Sequence, residues 1–127
     1  MRTDYTVKMT MQSKDIKGKD AVRAMDLEGA ISLNELTKDG AVEITPSYWY
    51  QLDVHNEHSR LNADYMVFVI VDDGGTRYRT GSDVLMNAFL ELMQECDAYE
   101  IPAEERQVNI LRGTTRDGNT FLTVKLA

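Results

Sequence analysis

At 127 residues, 43% hydrophobic and 28% charged, the chain has the composition of one folded domain, residues 1–127, and is too apolar for a disordered one. The single cysteine, Cys96, excludes an internal disulfide, and no apolar run approaches the roughly 20 residues that cross a bilayer. A net charge of −7 excludes a protein that neutralises phosphates over its whole surface.

The charge is unevenly spread. Residues 1–25 carry six lysines and arginines against three acids and residues 106–127 four against one, whereas residues 83–105 hold seven acids and no cation. Both ends are basic and the intervening region is acidic. The start, Met1 to Lys8, lacks the apolar core of a secretory signal, so a cytoplasmic protein is expected.

Tyr5, Val7, Met9 and Met11 alternate with polar residues, the period of a half-buried strand. A basic turn over Lys14–Asp20 follows, and Ala21–Leu27 reads as a weaker strand. Asn34–Gly40 reads as a loop or a single helical turn, Val42–Val54 as extended structure interrupted at Pro46, and His55–Asn62 as a polar loop. Tyr65–Val71 is a continuous apolar run rich in β-branched residues, the pattern of a central strand. Asp72-Asp73-Gly74-Gly75 turns it back into Thr76–Thr80. Ser82 is a good N-cap, and Val84, Leu85, Ala88, Phe89, Leu92 and Met93 recur on one face of a helix that ends before Pro102. Arg106–Arg112 and Asn119–Leu126 flank Asp117-Gly118 as a closing hairpin. Strands, one helix and a final hairpin give a mainly β chain with one helix, a five-stranded Greek-key barrel of the OB type. The strand candidates exceed five, and the surplus is assigned to β-extensions beyond the barrel.

The pattern Asn34-Glu35-Leu36, Gly40-Ala41-Val42-Glu43-Ile44, Tyr65–Val71, Asp73-Gly74, Tyr78-Arg79-Thr80-Gly81-Ser82, an apolar helix, and Arg112-Gly113-Thr114 with Gly118-Asn119-Thr120-Phe121-Leu122-Thr123 resembles the small single-stranded-DNA-binding proteins of phages and mobile elements of Gram-positive bacteria. The likeness covers roughly Leu33 to Leu126, with the aromatic-dense Ser47-Tyr48-Trp49-Tyr50 as one departure within it. It implies an OB-fold replication protein that coats single strands and has no enzymatic activity.

Binding single strands without sequence preference takes exposed aromatic faces for stacking and cations that follow the backbone. Trp49, with Tyr48 and Tyr50 on the alternate side of the strand, either offers such a platform or belongs to the core. Arg77 and Arg79 share one strand face and should be solvated, with Tyr78 on the other; they serve DNA or merely guard an edge strand. Arg112, Arg116 and Lys125 lie in the closing hairpin, where the basic first strand is a candidate neighbour. Gly81-Ser82-Asp83 is better read as a helix cap than as a phosphate site, because Asp83 repels a phosphate.

His55 and His58 lack the companions of a closed zinc site, and no nucleophile-base grouping or Gly-rich phosphate loop is legible. The reading is a binding protein with no cofactor and no metal, not an enzyme. Its partners are single-stranded DNA, a basic replication or transfer protein at the acidic helix face, and a second copy of itself, with no membrane. The rival reading is an acidic interaction protein that mimics nucleic acid and blocks a basic enzyme.

Overall fold

The computed structural model describes residues 5–56 and 64–127. Its elements are β1 (Tyr5–Gln12), α1 (Lys19–Ala24), β2 (Ile31–Ser32), α2 (Leu33–Leu36), β3 (Val42–Ile44), β4 (Pro46–Asn56), β5 (Asp64–Asp72), β6 (Arg77–Thr80), α3 (Asp83–Ala98), β7 (Val108–Thr114) and β8 (Thr120–Leu126). The strands form a five-stranded sheet, β1-β4-β5-β6-β2, and a three-stranded sheet, β3-β7-β8.

The mainly β expectation holds, and Val42 to Asn56 shows how the two sheets join. This stretch is extended throughout except at Thr45, where it passes from β7 to β1 and β5 as partners. Pro46 has no N–H to give a ladder and sits where the register slips, so the chain bends there. With β3 and β4 counted as one bent strand, the order β8-β7-β3/β4-β5-β6, with α3 between β6 and β7, is a partly open five-stranded Greek key. No ladder joins β6 to β8 among the described residues, so the barrel is open at that seam. Strands β1 and β2 are additions at the edges of the first sheet.

The β6–β8 seam is filled by α2 instead of backbone pairing. Leu33 is fully buried in the core, Thr80 Oγ1 donates to Asn34 Oδ1 at 3.1 Å, and the Arg112 guanidinium donates to the Asn34 carbonyl. The core inside the seam joins Ile44, Phe68, Ile70, Val108, Ile110 and Leu122 to Leu85, Phe89, Met93 and Cys96 of α3. Ser82 caps α3 by accepting from Leu85 N at 3.1 Å. Val84, expected on the buried face, is 59% exposed, while Cys96 takes the i, i+3 place after Met93.

Two further expectations fail. Residues 21–27 are not a strand: Gly18, at φ 63°, turns the chain into α1, and Ala21, Ala24 and Met25 pack at helical spacing while Val22 is exposed. The polar loop expected from His55 starts later, since His55 and Asn56 belong to β4; residues 57–63 lie outside the described residues. The Asp72–Gly75 turn forms as read, with Gly75 at φ 88°.

Candidate nucleic-acid interface

Residues on alternate positions of β4, β5 and β6 build the outer face of the large sheet. Tyr48, Tyr50, Leu52 and Val54 stand beside Val67, Val69 and Val71, and Arg77 and Arg79 lie directly across from Val71 and Val69. In an OB barrel the outer face of the second and third strands, here β5 and β6, is the usual ligand surface. Here much of it is covered, because Ile16, Ala21, Ala24, Met25 and Leu27 pack down upon it.

That cover decides the fate of three residues chosen from sequence. Tyr50 is fully buried, its ring stacked at 6.3 Å and 28° on Tyr48, and its hydroxyl, near the Arg77 guanidinium, has no hydrogen bond of good geometry among the described residues. Burial pushes its phenol pKa up, against the opposing pull of the nearby Arg77 guanidinium. Arg77 is not solvated: its side chain is 16% exposed and donates to the carbonyls of Arg23 and Asp26, the latter at 2.8 Å. A Cβ at Gly29 would crowd the Arg77 guanidinium and come within 2.6 Å of Asp26 Oδ2, so a larger residue there would make the ends of both side chains shift. Arg79 is half-buried, with Nε donating to the Ala30 carbonyl at 3.2 Å. Both arginines therefore hold residues 23–30 onto the sheet. Alternation separated them correctly from Tyr78, but it could not reveal a covering segment.

Trp49 and Tyr78 face the barrel side. Trp49 meets the fully buried Phe89 edge to face at 5.0 Å and 84°, and Trp49 and Tyr78 are half-buried against the core. Burial, and after it the Asp72 carboxylate, raises the Tyr78 phenol. On the outer side, Lys14 Nζ lies 4.0 Å above the half-buried ring of Tyr48.

The closing hairpin carries the remaining candidates. Arg112 lies across from Leu122, half-buried at the seam, its Nε buried without a partner among the described residues. Arg116 and Lys125 are exposed, Arg116 in the Thr115–Asn119 loop and Lys125 across from Asn109 on β7. That loop is tied at its base by Thr115 N donating to Asn119 O at 2.8 Å. The first strand does not adjoin this hairpin: β1 pairs with β4 in the other sheet.

Sequence reasoning passes over three exposed aromatic residues among those described: Tyr99, 82% exposed at the end of α3 beside Glu100, and two that border openings. Tyr65, 38% exposed, heads the apolar run that reads as core, but its end of β5 extends beyond the cover. It lines a groove of about 260 Å³ with Leu27, Glu28, Val67 and Arg79. Phe121, 41% exposed, lies across from Gly113 and borders a cleft of about 110 Å³ with Asn34, Ser82, Arg112, Thr120 and Leu122. Its signal in the sequence is the glycine that the Asp117-Gly118 turn places opposite it.

Accessible rings and cations at two openings of one β scaffold can stack on bases and neutralise phosphates. The six acids from Glu91 to Glu105 are exposed along and after α3, away from those openings in sequence. No helix among the described residues is long and apolar enough to cross a membrane. No curated protein and no solved structure matches the chain. The family model of the Phi29-type phage single-stranded DNA-binding protein matches residues 1–127, and the chain belongs to that family of single-stranded-DNA-binding proteins of phage replication.

Proposed function

We propose that this protein coats single-stranded DNA in the host cytoplasm during phage replication, by base stacking and phosphate attraction with little base specificity and without catalysis. The match of the family model along the whole chain carries this reading. The proposed path for the strand uses what the fold leaves accessible: the Tyr65–Arg79 groove, the seam beside Arg112, and the hairpin cations Arg116 and Lys125. Tyr50 and Arg77 drop out of the contact set, because the segment over them occupies the surface they would present. Trp49 reports the event through its contact with Phe89 rather than by stacking on a base.

Titration of the intrinsic fluorescence with unlabelled poly(dT) and with a duplex of equal length tests the reading. Affinity for the single strand should exceed that for the duplex and fall with salt, log K dropping by about 0.7 per phosphate neutralised for each unit of log salt. Absence of binding at any salt concentration would overturn it. The acidic surface of α3 is the proposed docking face for a basic replication protein, since its carboxylates repel the DNA itself.

A further inference from the structure

Phe121 lies on β8, the edge strand of the smaller sheet, directly across from Gly113 on β7. A Cβ built on Gly113 would strike Phe121 Cζ and come within 2.9 Å of both Cε1 and Cε2. The phenyl ring therefore rests on the bare backbone of Gly113, fixed from beneath, while the residue stays 41% exposed. A phenyl left this accessible forgoes part of the free energy that full burial provides. The pairing holds a ring in one orientation and keeps it open, and a stacking platform requires both.

Its surroundings point to the ligand. Phe121 shares the seam cleft with Ser82, Thr120 and Arg112, whose guanidinium donates to the Asn34 carbonyl while its buried Nε has no partner among the described residues. Arg116 is exposed in the loop that leads from β7 into β8. An aromatic face with two arginines nearby in the hairpin matches an unpaired base followed by its phosphates.

We propose that Phe121, seated on Gly113, is a base-stacking residue for single-stranded DNA at the β6–β8 seam, with Arg112 and Arg116 taking the adjoining phosphates. This rests on the single-strand reading above and assigns it a particular contact.

The test compares a labelled oligo(dT) with an abasic strand of the same length and phosphate count, binding being read by anisotropy. Phe121→Leu should weaken oligo(dT) binding by about 5-fold to 150-fold, as loss of one stacked base implies, with the loss confined to the strand that has bases. Gly113→Ala, which leaves Phe121 in place but displaces its ring, should reproduce the defect, and Phe121→Tyr should retain the preference of the parent for oligo(dT). An equal loss on both strands, no loss on either, or a changed oligomeric state with unchanged affinity would overturn the assignment. If the parent binds neither strand, the single-strand reading itself fails, and that outcome is distinct from a parent that binds while Phe121→Leu binds equally well.

Discussion

Arg77→Met separates a structural arginine from a DNA-binding one. The arginine bonds the carbonyls of Arg23 and Asp26 and pairs with the Asp26 carboxylate at 3.6 Å, from a side chain only 16% exposed. Hydrogen bonds from a charged donor contribute about 1.5–3 kcal/mol each, while the ion pair, with Asp26 largely in water, adds at most about 1 kcal/mol. Methionine keeps much of the aliphatic stem, and residues 23–30 retain their apolar contacts, so the net loss expected is about 2–4 kcal/mol. Against a domain stability of about 5–15 kcal/mol this is a large shift in a urea midpoint, which Trp49 emission can follow. The binding arm uses the same protein: the salt dependence on poly(dT) should keep the slope of the parent, because Arg77 meets no phosphate. A variant with unchanged urea midpoint and a slope shallower by about 0.7 would refute the clasp and return Arg77 to the interface.

Tyr50→Phe removes a buried hydroxyl that makes no hydrogen bond of good geometry among the described residues, so stability at neutral pH should be equal to the parent or higher, whereas Tyr50→Ala should cost about 3–5 kcal/mol in urea denaturation. The raised Tyr50 phenol pKa favours the protonated form in the folded state, a contribution complete below the ordinary value of 10.0 and lost as pH climbs through the higher folded value. The parent should thus weaken above about pH 10, with Tyr50→Phe losing less; equal losses in alkaline melts would contradict the burial argument. Phe89→Ala empties the space between Trp49, at 5.0 Å, and Phe68, at 5.7 Å, and should lower stability by about 3–5 kcal/mol while shifting tryptophan emission to the red. An unchanged midpoint would mean that α3 does not pack there. Glu100 ends α3 at φ 56° with Ile101 N bonded to Cys96 O, the left-handed cap that glycine adopts without strain, so Glu100→Gly should raise the melting temperature, by about 1 kcal/mol of stability.

What the sequence disclosed and what it hid divide along a physical line. Period-two alternation and turn chemistry are local, and they located β5, the Asp72–Gly75 turn, the capped helix α3 and the β7–β8 hairpin within a few residues. Local signals also set Tyr78 against Arg77 and Arg79 correctly. They say nothing of what a second segment lays over a strand face. A short helix with two alanines and an exposed Val22 imitates a weak strand in composition, so the cover over Tyr50 went unread. For the same reason Arg77, whose side chain looks like a free cation in the sequence, spends its donors on backbone carbonyls 51 and 54 residues earlier in the chain. Phe121 shows a different gap: alternation sets it on the face of Thr123 and Lys125, but only the register reveals that it lies over a glycine. The open seam was hidden because α2 fills it through Leu33 and Asn34, and the partners of Asn34, Thr80 and Arg112, are 46 and 78 residues away from it. Where side chains replace a backbone ladder, the seam is held from within by Leu33 in the core and at its rim by the Asn34 contacts to Thr80 and Arg112. A DNA strand that stacks on Phe121, as proposed, would therefore meet those rim contacts and leave the buried Leu33 in place.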